Sequence, residues 1–345
     1  MITIRIWVYD GILASGVAGP IDVFNAANHL GAREAAARGD KPLPAFTWRV
    51  ESLDGEPVKA ASGQSIAVDG KIDPRKHADA VVLTAPFFSS MDEFIGRGDH
   101  VRAISGALQR QRKAGTVLAA YCTGNYLLAE AGLLDGRIAT THWAKAADFA
   151  RRYPAVEVRA REVLTAQDGI ISGGSVTSYL NLAVKLVEMF AGERLASKTA
   201  KSLLIDMNRT SQASYATLLD EHGHADPLIA RAQQRMEATL QEGFSMSGLA
   251  AWLAVSERTL NRRFKQATGL APLSYLQNLR IEVAKQLLET RPIGIEVVSQ
   301  RVGYGDLSTF RQLFKRKTGL SPGEYQVRFA RTTTAGHAAQ GAVGG

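Results

Sequence analysis

A single cysteine, Cys122, ends the run Thr116-Val-Leu-Ala-Ala-Tyr-Cys122, and its neighbours at −2 and +2 are Ala120 and Gly124. Small residues around a polar one, between an apolar run and a helical stretch, are the pattern of a nucleophile elbow. Such a sharp strand-to-helix turn exposes the central side chain. The positive end of the following helix would favour thiolate there. Thiol catalysis also needs a proton partner. Of the seven histidines, His142 in Ala139-Thr-Thr-His142-Trp143 is the candidate, because it follows the elbow helix in the same region. One cysteine cannot form an internal disulfide, so Cys122 must be explained as packing or as chemistry.

A second group of side chains suits nucleic acid. Arg258, Thr259, Asn261, Arg262 and Lys265 fall on the outward face of one short helical stretch, and Ser308, Thr309, Arg311, Gln312 and Lys315 fall on another. Arg pairs with guanine and Asn or Gln with adenine in the major groove, while Lys, Ser and Thr engage phosphates. The two stretches belong to a repeat. Phe264-Lys-x-x-Thr-Gly-Leu-x-Pro-x-x-Tyr275 recurs 50 residues later as Phe314-Lys-x-x-Thr-Gly-Leu-x-Pro-x-x-Tyr325, with seven identities in 12 positions. Self-similarity at a fixed offset marks a duplicated structural unit.

Each copy must place its polar face by a helix, a tight turn and a second helix. In the first, Met246, Leu249, Ala250 and Leu253 form an apolar stripe and Ala254-Val255-Ser256 the turn. Glu257–Thr268 then makes a helix with Leu260 and Phe264 inward. In the second, Ile295, Val298 and Val302 form the stripe, Gly303-Tyr304-Gly305 the turn, and Asp306–Thr318 the helix with Phe310 and Phe314 inward. Ser256 and Asp306 suit N-caps, and Gly269 and Gly319 suit helix stops. Tyr275–Glu289 reads as a joining helix, so the recognition helices could meet successive major grooves about 34 Å apart.

Charge follows this division. Residues 1–224 hold 25 Lys+Arg against 24 Asp+Glu, a net of +1, whereas residues 225–330 hold 15 against 9, a net of +6. A near-neutral part joined to a basic part fits a sensor or enzyme linked to a polyanion-binding module. At 345 residues the chain is too long for one hydrophobic core, and 46% hydrophobic content excludes a mainly disordered protein. No apolar run of about 18 residues offers a membrane span, and no signal-peptide pattern opens the chain. The cytoplasm is the expected compartment.

Before residue 190, apolar runs at Ile2–Val8, Phe46–Leu53, Ala80–Thr84, Thr116–Tyr121 and Gly169–Ser172 read as strands. Pro20–His29, Val101–Lys113, Gly124–Ala131, Trp143–Arg152 and Val176–Phe190 read as helices. That alternation predicts an α/β domain with a mainly parallel sheet. The tail after Arg331 is Thr, Ala and Gly, and is expected to be disordered.

Residues 225–330 resemble the AraC/XylS-type DNA-binding domain, whose two helix-turn-helix units share one long helix. The second unit departs from that pattern at Gly305-Asp306 and at Gln326, where an Arg would add a phosphate contact. Residues 1–195 resemble the PfpI/ThiJ-type domain of the class I glutamine-amidotransferase-like superfamily. The likeness rests on Gly19-Pro20-x-x-Val23-Phe24, the Cys122 elbow, Ala131-Gly-Leu-Leu-Asp-Gly136, Ala139-Thr-Thr-His142-Trp143 and Ser172-Gly-Gly174. It implies a doubly wound, flavodoxin-like α/β sandwich ahead of an all-α tandem helix-turn-helix domain. Enzymatic relatives, including those similar to isonitrile hydratase, carry an acid three positions before the Gly-Pro, where this chain has Gly16. No late His-x-Glu pair completes a glutaminase triad.

In this order the two domains resemble GlxA-type transcriptional regulators. The resemblance implies a sensing and dimerising domain at 1–195, a linker at 196–224, the DNA-binding domain at 225–330 and a tail at 331–345. Cys122, Thr123, His142 and Gly16 are then expected to line a non-catalytic pocket for a small effector, amino-acid or amine derived. Promoter DNA, a second copy of the chain and RNA polymerase are the expected partners, with no cofactor, metal or membrane. The alternative is a Cys122-dependent hydratase or hydrolase with an appended DNA-binding module.

Overall fold

The alternating apolar runs and amphipathic stretches of the first 200 residues fold as a layered α/β unit. The computed structural model describes residues 1–39, 45–88, 90–207, 226–290 and 293–330. Two units are distinct, Met1–Ala213 and Ser214–Gly345. The first runs β1 (Ile2–Trp7), α1 (Ser15–Arg38), β2 (Phe46–Ser52), β3 (Val58–Lys59), β4 (Ser65–Ile66), β5 (Gly70–Lys71), β6 (Ala80–Leu83), α2 (Met91–Ile95) and α3 (Gly98–Lys113). It continues β7 (Val117–Tyr121), α4 (Asn125–Glu130), β8 (Ile138–Ala139), α5 (Ala146–Arg152), β9 (Glu157–Val158), β10 (Leu164–Gln167), β11 (Ile170–Gly173), α6 (Ser178–Ala191) and α7 (Glu193–Ser202).

Among the described residues the main sheet has the order β10-β11-β7-β6-β1-β2-β5, parallel except for β10 against β11. From β1 the chain steps to β2 on one side, whereas from β6 it steps to β7 and β11 on the other. Right-handed crossovers therefore put α1 and α3 on opposite faces. The α1 helix packs with α6 and α7, and α3 packs with α4. The reversal of direction lies between β1 and β6, where doubly wound sheets leave a crevice at the strands' C-terminal ends. Trp7, Leu83 and Tyr121 end the three strands there.

Three details differ from the sequence expectation. The first helix starts at Ser15, upstream of Pro20, and continues to Arg38. Proline reads as a helix start because first-turn N–H groups need no partner. Here Gly16 and Val17 donate to Leu13 and Ala14 carbonyls at 3.0 and 3.1 Å and supply an earlier turn. The half-polar edge strand β10 was not foreseen. The boundary expected at 195 falls inside α7, which is tied to α1 by Arg194 and Lys198 on Glu34. The expected polar loop near Asn208 and the 331–345 tail lie outside the described residues.

The second unit comprises α8 (Pro227–Ala238), α9 (Met246–Trp252), α10 (Glu257–Thr268), α11 (Pro272–Thr290), α12 (Ile295–Arg301), α13 (Leu307–Thr318) and α14 (Pro322–Phe329). It has two small cores, one centred on Leu249, Leu260 and Phe264, the other on Val298, Phe310 and Phe314. The joining helix α11 feeds both, with Leu276 in the first and Ile281, Ala284 and Leu288 in the second.

The repeated residues build this scaffold. Phe264 meets Tyr275 edge-on at 5.3 Å, and Phe314 meets Tyr325 edge-on at the same 5.3 Å. Thr268 and Thr318 each donate to the preceding Phe carbonyl, at 2.8 and 2.9 Å. Gly269 and Gly319 are left-handed stops that cap Lys265 and Lys315 carbonyls. The two turns differ by one residue, because α12 follows α9 by 49 positions while α13 follows α10 by 50. The corresponding left-handed residues are Ala254 (φ 55°) and Gly303 (φ 81°), with Gly305 as the extra residue.

Gly303 has a second constraint. A Cβ there would lie 2.7 Å from the Leu240 carbonyl oxygen and 2.8 Å from Arg280 Nη2. Arg280 is buried, donates to the Leu240 and Glu242 carbonyls, and lies over the Tyr304 ring. Gly303→Ala is expected to destabilise this unit by about 2 kcal/mol or more, whereas Ala254→Gly should be near neutral because relieved strain offsets glycine entropy. Denaturant unfolding of both variants checks the contrast.

Candidate functional site

Cys122 follows β7 directly and adopts φ 54°, a left-handed conformation rare for a residue with a side chain. This is the elbow. Gly124 permits it, since a Cβ there would press to 2.9 Å from the Thr84 carbonyl oxygen. Buried polar groups hold the turn. Asn125 Nδ2 donates to the Cys122 and Gly173 carbonyls, both at 3.0 Å, and the Thr141 hydroxyl donates to the Cys122 carbonyl at 2.9 Å. Ser172 Oγ lies 2.7 Å from Asn125 Oδ1 and accepts the Thr140 N–H at 3.1 Å.

The expected residues have separate roles. Thr123 is buried, and its hydroxyl donates to the Pro86 carbonyl at 2.5 Å, joining the elbow to the loop after β6. His142 is half-buried and caps the short turn Trp143–Lys145, with Nδ1 accepting the Ala144 N–H at 3.3 Å and the ring 5.2 Å from Trp143. One tie from its segment to the elbow runs through Thr141. Sequence reasoning passed over that residue because an aliphatic hydroxyl beside a histidine carries no catalytic signature.

Gly16 faces the phenol of Tyr121, the residue that precedes Cys122. A methyl group on Gly16 would overlap the Tyr121 hydroxyl and lie 2.7 Å from Cζ. The phenol thus fills the space into which any side chain at position 16 would have to grow. Tyr121 is fully buried, and among the described residues its hydroxyl makes no hydrogen bond of good geometry, although the Ala85 backbone lies near enough to act on it. Tyr9, also buried, donates to the Thr84 carbonyl. Burial raises both phenols, and each feels the other acidic groups nearby.

The thiol follows the same rule. Burial pushes Cys122 up to about 11, against the opposing pull of the Thr123 hydrogen bonds and the Lys145 charge. The expected dipole-stabilised thiolate is therefore corrected to a neutral thiol near pH 7. The reason is magnitude: a terminal dipole contributes about 0.3–1 kcal/mol at an exposed position, less than burial of a charge costs.

The family model described as DJ-1/PfpI family matches residues 3–189, just over half of the chain. The chain belongs to the DJ-1/PfpI family. A second model, described as a helix-turn-helix domain, matches residues 249–328 of this DJ-1/PfpI protein. It is similar to the HTH-type transcriptional regulator CdhR of Pseudomonas aeruginosa, 27% identical over 284 residues and 81% of each chain. It is also similar to GbdR of the same species, 27% identical over 91% of this chain and 81% of that one. The regulator GlxA of Rhizobium meliloti is 25% identical over 64% of this chain and 68% of its own.

The helix-turn-helix part presents the expected polar faces. Arg258, Asn261, Arg262 and Lys265 on α10 are exposed, as are Ser308, Thr309, Arg311, Gln312 and Lys315 at the corresponding places of α13. Three of the ten expected residues are engaged in helix caps, Ser308 through its N–H alone, which donates to Asp306. Thr259 is half-buried and bonded through N–H and hydroxyl to Ser256, and Thr309 is bonded likewise to Asp306. Gln326 donates to the Ile293 carbonyl at 2.9 Å, which uses its amide inside the fold. Arg263, absent from the expected set, pairs with Asp226 at 2.5 and 2.9 Å and so anchors α10 to the N-cap of α8. The Arg263 hydrogen bond holds the Asp226 carboxyl below its usual range, so this contribution is present above about pH 4 and fades as pH falls through the lowered folded value.

Two measurements test the thiol. Cys122 alkylation by iodoacetamide at pH 8 should be slower than that of free cysteine and should rise toward pH 11. Tyr121→Phe should leave stability unchanged or raise it by roughly 1 kcal/mol, because it deletes an unpartnered buried hydroxyl. Fast alkylation at neutral pH, or a clear loss of stability in Tyr121→Phe, contradicts this account.

Proposed function

We propose that this chain is a sequence-specific DNA-binding transcription regulator whose DJ-1/PfpI unit senses a small metabolite. The observation that carries the reading is the division of labour on α10 and α13. Apart from the exposed lysines and glycine stops, the residues of the repeat identical between copies are buried or half-buried scaffold, while most residues on the exposed faces are basic or polar and differ from each other. Arg258, Asn261 and Arg262 correspond to Ser308, Arg311 and Gln312, so two recognition helices with different side chains would read two unlike half-sites. Lys265 and Lys315 are exposed and identical, as suits contact with phosphates that carry no sequence information.

The effector would enter over the C-terminal edge of β1, β6 and β7, near Cys122, Thr123, His142 and the turn at Gly16. An amino-acid- or amine-derived compound, a homodimer, a cytoplasmic setting and contact with RNA polymerase complete the proposal. Ligand binding would alter DNA affinity only through unequal affinity for two arrangements of the protein. A second reading, a Cys122-dependent hydratase or hydrolase, draws support from the elbow conformation alone. It predicts turnover of small amides, aldehydes or isonitriles that Cys122→Ala abolishes. The raised thiol and the phenol at Gly16 weigh against it.

Selection of bound genomic fragments tests the main reading: enrichment of a common non-palindromic motif is expected, and recovery of random fragments rejects it. On the selected site, Arg262→Ala or Arg311→Ala should relax preference at one base step by about 1–3 kcal/mol. Lys265→Ala and Lys315→Ala should instead weaken all sequences alike and reduce the salt slope by about 1 each.

A further inference from the structure

The second unit contains a cavity that DNA reading leaves unused. It has a volume of about 210 Å³ and lies between α8, α9, the loop from Glu242 to Ser245, and α11. Met236, Leu249, Leu276 and Phe244 give it an apolar floor, and the first three are buried members of the core. Its rim carries charge and an aromatic face. Trp252 is 45% exposed, and its ring centroid lies 5.6 Å from the guanidinium of Arg235, which lines the cavity, and 5.2 Å from that of Arg231, which does not. Among the described residues neither arginine has a carboxylate partner. Glu242 lines the cavity as well, on the loop held through its backbone by Arg280, and its carboxylate is the one lining charge that opposes a negative ligand.

The size narrows the ligand. A dry cavity of about 150 Å³ holds benzene, and ordinary metabolite pockets start near about 300 Å³. This one accommodates a single ring or a short branched chain, with a polar arm reaching the rim. Arg binds carboxylate through a planar fork of donors, and an exposed Trp beside it supplies contact area. A phosphate backbone could use the arginines but would leave the apolar floor unfilled.

We propose that the cavity between α8 and α9 binds a small amphipathic carboxylate, with its apolar group against Met236, Leu249 and Leu276 and its carboxylate on Arg235 at the rim. This site does not rest on the sensing role proposed for the DJ-1/PfpI unit. Its position gives it a consequence, since Leu249 shares a core with Leu260 and Phe264 of the recognition helix α10.

Calorimetric titration of the full chain with 3-phenylpropionate tests it without DNA. Saturable binding is expected, with acetate and 3-phenylpropan-1-ol at least about tenfold weaker because each lacks half of the recognised chemistry. Arg235→Gln, a change at an exposed side chain, should weaken 3-phenylpropionate roughly tenfold or more, while Cys122→Ser should leave it unchanged. Absence of saturable binding up to about 10 mM overturns the proposal, as does acetate binding equally well. So does binding that survives Arg235→Gln or disappears in Cys122→Ser, since the ligand would then lie elsewhere.

Discussion

The first unit is governed by the close approach of Tyr121 to Gly16. The phenol of β7's last residue stands in the first turn of α1, where only a residue without a side chain leaves room. Gly19, one turn on, makes way likewise for Tyr179, which meets Tyr121 edge-on at 5.5 Å. Helix α1 can therefore lie close over the end of the sheet. The cost is an unpartnered hydroxyl beside a buried thiol, in surroundings that disfavour ionisation of either. The left-handed turn at Cys122, the glycine against the Thr84 carbonyl and the Asn125 and Thr141 bonds are all present. Among the described residues, no carboxylate is among the groups that act on the thiol. The elbow is present as architecture, and its thiol is held in the neutral form near pH 7.

In the second unit the corresponding constraint is a shared helix. Because α11 contributes to both small cores, the two helix-turn-helix hairpins are coupled through one rigid element. The identical residues of the repeat do the same structural work twice: aromatic pair, threonine bond, left-handed glycine stop. That frees the outward positions to diverge. The first hairpin is further braced by Arg263 on Asp226, where the second hairpin has the buried Leu313. The one-residue difference between the turns, absorbed at Gly305, makes the copies similar but not superimposable in sequence register.

Several features were legible from residue order alone: the two-part organisation, the α/β and helical classes, the elbow at Cys122, the N-caps at Ser256 and Asp306, the glycine stops, and the outward faces of α10 and α13. All of these rest on local rules, since periodicity, capping and turn chemistry act over a few residues. The lack of an acid at position 16 was equally plain. Tertiary structure alone decided the rest. That Tyr121 fills the space at Gly16 depends on β7 lying beside the start of α1, about 105 residues away in sequence. That the thiol is raised depends on how many neighbours exclude water from it, which no dipole argument along one helix can supply. The buried pair of Arg5 and Glu51, 2.5 Å apart, likewise needs β1 and β2 side by side under helices on both faces. The Trp252 cavity arises only where α8, α9 and α11 converge. Local sequence specified the elements and their polar faces; burial and proximity across distant segments determined which of those groups can ionise, bond or bind.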